Sequence, residues 1–425
     1  MKNDRRTFLK LAGMAGFSVA SHKLFGEPGF SQDLHLGYDS ETPVQAAGIS
    51  IIGSYGPWAA GLLDNKLPLY SFRRDNWKNL AKWKKAAKKR YFDRLSMPAF
   101  GGPPQVTVTR EYDYDGLHIE EMTWPLPNGG RSEAVLLKPL NASGRLPGVL
   151  AFHDHSGNKY FGTAKIVRTS DDEHPMMKEH KQNLYEGRAW ANDLAKRGYV
   201  VLASDAFPFA SRRVMLKDVP ERQRQGLTDP EPGDQEGIEA YNRWAGQHEH
   251  IMAKSLFSAG TTWPAVFLAE DMKALDVLCA RDDVDSDRIG CCGLSGGGMR
   301  SVFIGGADER IKCAIPVGFM TTWRDLVMEK ATSHTWMTYV PLLPNELDFP
   351  EILGLRTPLP ALVLNNREDP LFTLSEMRRA DEMLKAVYEK AGAPDSYKCS
   401  FYPGPHKFDA AMQAKAFEWF DMWLK

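Results

Sequence analysis

Apolar and polar residues change their rhythm along this chain. Over residues 75–95, "DNWKNLAKWKKAAKKRYFDRL", Trp77, Leu80, Trp83, Ala87 and Tyr91 recur at three- and four-residue spacing, which predicts a helix. From Gln105 the period becomes two. "QVTVTREYDYDGLHIEEMTWPLPNGGRSEAVLLKPL" reads as antiparallel strands, with "PNGG" at 127–130 as the hairpin turn. Short apolar runs then alternate with helical stretches. "LPGVLAFHDH", "YVVLASDAF", "RIGCCGL", "AIPVG" and "PALVLNN" read as strands. "LYEGRAWANDLAKRG", "TWPAVFLAEDMKALDVLCAR" and "DAAMQAKAFEWFDMWL" read as helices. Such alternation predicts an α/β fold: a mostly parallel sheet covered on both faces, with the antiparallel strands as its leading edge.

Three stretches interrupt the alternation, residues 158–186, 207–255 and 321–357. The first two carry His174, His180, His248 and His250, and all three are expected to be long loops that wall a pocket. Ahead of the sheet, residues 29–100 form an arm and a helix, and residues 101–425 form the α/β domain. Residues 1–28 are of another kind. Arg5 and Arg6 precede "TFLK", then comes a short, weakly apolar run rich in Gly and Ala. That is the pattern of an export signal too short to span a bilayer, with cleavage expected near residues 20–25. Its twin arginine resembles the signal of the bacterial twin-arginine pathway, which implies a periplasmic or secreted protein exported already folded.

Composition removes some function classes. Lys plus Arg (53) nearly equals Asp plus Glu (54) in the 425 residues, so no net field attracts nucleic acid or anionic lipid. The lysines of residues 75–95 therefore read as a solvated helix face. No other stretch is long and apolar enough to span a membrane. The five cysteines, Cys279, Cys291, Cys292, Cys313 and Cys399, lack a CxxC pair and sit among apolar neighbours, which predicts buried, inert thiols.

The chemistry concentrates around "GCCGLSGGGMR", residues 290–300. Gly293-Leu294-Ser295-Gly296-Gly297 is G-x-S-x-G between a strand and a helix, the setting of a nucleophile elbow. A serine in that sharp turn needs small residues two before and two after it, and the helix start beneath it favours negative charge. Gly296 then offers a backbone N–H to an oxyanion. No lysine follows in phosphate-loop register, and the bunched glycines do not form G-x-G-x-x-G. Asp369, in "PALVLNNREDPLF", and His406, in "FYPGPHKF", follow in the order Ser, acid, His. Glu368 is the alternative acid. Asp369 is favoured because Pro370-Leu371 suits a tight turn against the strand end. A second oxyanion donor is expected after "GVLAFHDHSG", at the N–H of Asp154 or His155.

Other residues carry weaker signals. His153 and His155 flanking Asp154 lack a third anchored metal ligand, and "HEH" at 248–250 lacks i, i+4 spacing, so no metal is expected. The histidines of "HEH", His248 and His250, read as solvated loop or pocket rim. Asp205 reads as a turn hydrogen bonder and Arg300 as one half of an ion pair, each with substrate contact as the lesser reading. Trp263, Trp323 and Trp336 are core by default, with sugar stacking as the alternative.

The motifs "LAFHDHSG", "VDSDRIGCCGLSGGGMRS", "NREDPLFTL" and "YPGPHKF" resemble those of α/β-hydrolases of the dienelactone-hydrolase-like group. More narrowly, they resemble bacterial acetyl-xylan-esterase-like proteins. The resemblance implies an α/β-hydrolase fold and a serine ester hydrolase, often one that deacetylates polysaccharide, with Ser295, Asp369 and His406 in catalysis and no cofactor. True dienelactone hydrolases have cysteine where this chain has Ser295, so lactone opening is not implied. A prolyl-oligopeptidase-type peptidase shares this triad order but usually carries a propeller, for which the residues before the sheet are too few. A non-catalytic binding module is the reading from another class, against which an intact Ser, Asp and His argues.

Overall fold

Nine strands form one sheet in the order β1-β2-β3-β5-β4-β6-β7-β8-β9. This computed structural model describes residues 50–64, 67–127 and 130–425. The strands are β1 Thr107–Tyr114, β2 Leu117–Pro125, β3 Arg131–Pro139, β4 Leu146–Phe152, β5 Val200–Ser204, β6 Val284–Leu294, β7 Ile311–Val317, β8 Ala361–Asn366 and β9 Tyr397–Tyr402. β1, β2 and β3 pair antiparallel and join β5 antiparallel, whereas β5 through β9 pair parallel. The leading edge is thus antiparallel and the body parallel, as the change of period predicts.

The longer helices are α1 Tyr55–Asp64, α2 Leu80–Leu95, α3 Pro175–Tyr185, α4 Trp190–Lys196, α5 Gln235–Ser258, α6 Trp263–Cys279, α7 Gly296–Ala307, α8 Leu374–Lys390 and α9 Ala410–Leu424. They cover both faces of the sheet. Along β4, Leu150 and Phe152 enter the core under α2, α6, α7 and α8, while Val149 and Ala151 enter the core under α4 and α9. β6 divides the same way: Cys291 faces the first core and Cys292 the second. Strand alternation alone sets this pair apart, and burial raises both thiols above their ordinary pKa.

Four differences from the sequence reading have physical causes. Helix α2 begins at Leu80, because the Asn79 side chain accepts from Lys82 N and caps it there. Its buried stripe is Trp83, Ala87, Tyr91 and Leu95. Residues 207–255 are not a long loop: they hold most of α5, capped by Asp234 on Gly237 N at 3.0 Å. "HEH" therefore lies on a helix, where His248 stacks on Trp244 with ring centroids 4.6 Å apart. Residues 158–186 likewise contain α3, and residues 321–357 bury Trp323, Leu326, Met337, Val340, Leu343 and Leu347. The polar side chains of these segments hid the apolar positions that anchor them. Last, α8 and β9 complete the final β–α–β unit, which the short apolar run of β9 did not disclose.

Asn128 and Gly129 of the hairpin, the signal-like residues 1–28 and arm residues 29–49 lie outside the described residues. Among the described residues no helix is long and apolar enough to cross a membrane.

Candidate active site

Strand β6 ends at Leu294, and the next residue, Ser295, is held at φ 57°, ψ −118° directly before α7. A side chain rarely adopts that conformation, and tight surroundings hold it there. The Ser295 N–H donates to Val317 O at 2.8 Å, and its carbonyl accepts from Met299 N at 2.9 Å. The flanking glycines have a steric cause. A Cβ on Gly293 would sit 2.4 Å from Phe152 O, and one on Gly297 2.3 Å from the same atom. Only bare backbone lets β4, β6 and α7 converge this closely.

Asp369 lies in the turn after β8 and is 4% exposed. Its Oδ2 is 2.6 Å from Nδ1 of His406, and its Oδ1 accepts from Leu371 N at 2.9 Å. With an ionised Asp369 as acceptor, Nδ1 carries the proton and Nε2 is left with its lone pair. That Nε2 is buried and has no hydrogen-bond partner among the described residues. The imidazole lies against the end of β7: a Cβ on Gly318 would be 2.9 Å from His406 Cε1 and 3.0 Å from Leu294 Cδ1. Leu294 immediately precedes Ser295, so His406 and Ser295 share one corner of the sheet. Glu368 points elsewhere, its Oε2 accepting from Gly404 N in the loop that carries His406.

A residue the sequence reading passed over supports this corner. His334 reaches Leu371 O with Nε2 at 2.9 Å, and its ring lies 5.4 Å from Phe319 and 4.7 Å from Phe372. Burial pushes its pKa down to about 4, so it is neutral in ordinary buffers.

The turn after β4 is fixed by buried charge. Asp154 is 1% exposed, and its Oδ1 takes His180 Nε2 at 3.0 Å and the Tyr185 hydroxyl. Burial opposes its charge, but His180 and Lys165 outweigh that and hold the carboxyl well below its usual range. Lys165 donates to the carbonyls of Asp154 at 2.8 Å and His155 at 3.0 Å. Pinning the carbonyls from beneath orients the peptide planes of the turn. The backbone N of His155 lies 3.0 Å from where a Gly296 Cβ would stand. His155 and Gly296 thus face each other beside Ser295. His153 accepts from Ala206 N through Nε2 at 3.1 Å, and His155 Nε2 is 2.8 Å from Glu249 Oε1. His153, Asp154 and His155 therefore engage three different partners and do not converge on one point.

No family model matches the chain. The protein named "Putative hydrolase YtaP" from Bacillus subtilis (strain 168) is 24% identical over 323 residues, which are 76% of this chain and 93% of that one. Among solved structures, a "putative acetyl xylan esterase" from Bacteroides fragilis NCTC 9343 superposes with a TM-score of 0.61 at 20% identity, covering 83% of this chain and 82% of that chain. The glucuronoyl esterase from Solibacter usitatus superposes with a TM-score of 0.58 at 14% identity, covering 85% of this chain and 98% of that chain. This chain has the α/β-hydrolase fold. In it, Ser295, Asp369 and His406 stand at the ends of β6, β8 and β9, on the edge where parallel strands deliver their loops.

Within this α/β-hydrolase fold the weaker candidates separate. Arg300 is 1% exposed and pairs with Asp271 through Nε at 3.0 Å and Nη2 at 2.5 Å. Its guanidinium also lies over the Phe152 ring, 4.3 Å from the centroid. Arg300 thus forms one half of a buried ion pair, as the sequence reading favoured. Asp205 is buried and hydrogen-bonds turns, accepting from Thr163 N at 2.9 Å and Ser211 N at 3.1 Å. Trp263 and Trp323 are buried in the core. Trp336 remains, 37% exposed, on the segment that follows His334.

Proposed function

We propose that this protein is a serine carboxylic ester hydrolase that removes acetyl or similar small acyl groups from a carbohydrate. One observation carries the reading. His406, polarised by Asp369 and with a bare buried Nε2, shares the corner at which Ser295 is held in its strained turn. In the first half-reaction Ser295 Oγ attacks the ester carbonyl carbon while His406 Nε2 takes its proton. Asp369 holds the imidazole and stabilises its cation. The N–H groups of Gly296 and of the turn at Asp154–His155, with the start of α7, receive the oxyanion. The protonated His406 then gives its proton to the departing alcohol. Water, deprotonated by His406, attacks the acyl-serine, and the carboxylic acid leaves with Ser295 restored. No cofactor enters these steps.

The names of the structural neighbours favour an ester of carbohydrate, and the exposed indole of Trp336 offers a surface for a sugar ring. The test is turnover of p-nitrophenyl acetate, acetylated xylan and a proline p-nitroanilide. Ester hydrolysis should fall by at least about 10⁴-fold in Ser295→Ala, together with loss of fluorophosphonate labelling. Turnover of the anilide alone would favour the peptidase reading, and inertness toward every ester the binding module. The twin-arginine pattern supports an exported enzyme. Replacing Arg5 and Arg6 by lysine should then leave the activity in the cytoplasmic fraction of a bacterial host.

A further inference from the structure

Residues 330–336 run between two sides of the site. At one end Lys330 Nζ donates to Pro370 O at 3.2 Å and His334 reaches Leu371 O, so this end holds the turn that carries Asp369. At the other end Thr335 Oγ1 donates to Glu249 Oε2 at 2.7 Å and Trp336 N to the same oxygen at 3.2 Å. Glu249 is 7% exposed and comes from α5. Its other oxygen, Oε1, takes His155 Nε2 at 2.8 Å and Lys159 Nζ at 2.5 Å. Because His155 Nδ1 accepts from Gly157 N at 3.0 Å, Nε2 carries the proton and donates to the carboxylate. Burial disfavours a charged Glu249, but the hydrogen bond from His155 and the charge of Lys159 outweigh it and keep the carboxylate ionised. Two residues on, Thr338 Oγ1 contacts Sδ of Met299, on the first turn of α7.

We propose that Glu249 is a positioning residue for ester hydrolysis. One of its oxygens fixes the turn whose His155 N–H faces Gly296, and the other fixes the strap that presents Trp336. This rests on the ester-hydrolase reading. A carboxylate suits the task because each oxygen accepts two hydrogen bonds, so both sides are served by acceptors. Glutamine has one acceptor oxygen and must turn a donor toward one side, where donors already stand. The oxyanion turn and the sugar-facing strap then lose their common anchor, although neither touches Glu249 through a reacting atom.

The experiment compares full-length wild type, Glu249→Gln, the double variant Glu249→Gln/Lys159→Met, and Thr335→Val. Probes are p-nitrophenyl acetate and acetylated xylan. Glu249→Gln should lower kcat on p-nitrophenyl acetate about ten- to a hundred-fold, because oxyanion donors act mainly in the transition state. Lys159→Met removes the ammonium that Gln leaves stranded. The double variant should therefore recover melting temperature without recovering kcat. Thr335→Val, which cuts only the strap side, should shift KM for acetylated xylan several-fold more than kcat. A return of kcat together with melting temperature in the double variant would mean that Glu249 merely supports folding, and would overturn the proposal. Wild-type kcat and KM in Glu249→Gln would overturn it as well. A wild-type protein inert toward both esters and unlabelled by fluorophosphonate would instead remove the ester-hydrolase reading on which the proposal stands.

Discussion

His334 is the residue whose titration should be visible in stability. Its folded pKa is near 4, pushed down chiefly by burial, against about 6.5 for an unperturbed histidine. The hydrogen bond to Leu371 O and the charge of Asp369 raise it, and His406 and Lys330 lower it. Above pH 6.5 both folded and unfolded chains carry His334 neutral, and the group adds no pH dependence. Between 6.5 and 4 the unfolded chain binds the proton and the folded one does not, so stability falls as the solution is acidified. Below 4 the full penalty, about 3 kcal/mol, is in place. Melting temperatures of wild type and His334→Gln should therefore diverge across that window, with the variant losing less. Parallel curves would refute this account. Residue-level legibility was uneven. Ser295, Asp369 and His406 could be picked out because strand-end motifs fix their order, and Asp369 rather than Glu368 is the carboxylate against His406. His334 and Glu249 could not. His334 lies in a segment without strand or motif, Glu249 sits in an "HEH" read only for its metal spacing, and only the folded chain reveals their partners.

At the scale of elements, α7 is tied to α6 by charge in the buried interior. Arg300 and Asp271 are buried together, and Arg300 Nη1 has no partner among the described residues. Burial raises the Asp271 carboxyl despite the neighbouring guanidinium. Arg300→Met should cost about 3–5 kcal/mol in urea unfolding, because it strands the carboxylate, whereas Arg300→Met/Asp271→Leu should recover most of the loss. Equal destabilisation in single and double variants would show that the Phe152 contact, not the ion pair, matters. Elements were legible where periodicity was clean, as in α2, α6 and the strands of the sheet from β1 to β8. They were hidden where polar side chains flanked a sparse apolar stripe. Helix α5 buries Ile238, Tyr241, Trp244 and Ala245, spaced for one face, yet its many charged residues made it read as loop.

For the whole molecule, the order of apolar runs sufficed to foresee a mostly parallel sheet with an antiparallel edge. Sequence does not state how three loops meet, since that depends on the sheet order of β6, β7, β8 and β9. This convergence bends the backbone of Ser295 to φ 57°, ψ −118°, and the bend has a consequence for natural variation. Strain of this kind is worth about 1–3 kcal/mol, while glycine there would give back only about 0.5–1 kcal/mol through its freer unfolded chain. Ser295→Gly should therefore melt above Ser295→Ala, which keeps the strained Cβ. A lower melting point for the glycine variant would contradict this. On the proposed mechanism, the backbone's own preference at the nucleophile's position is for a residue that cannot react. Lineages released from selection for turnover should drift there toward a sturdier, silent protein.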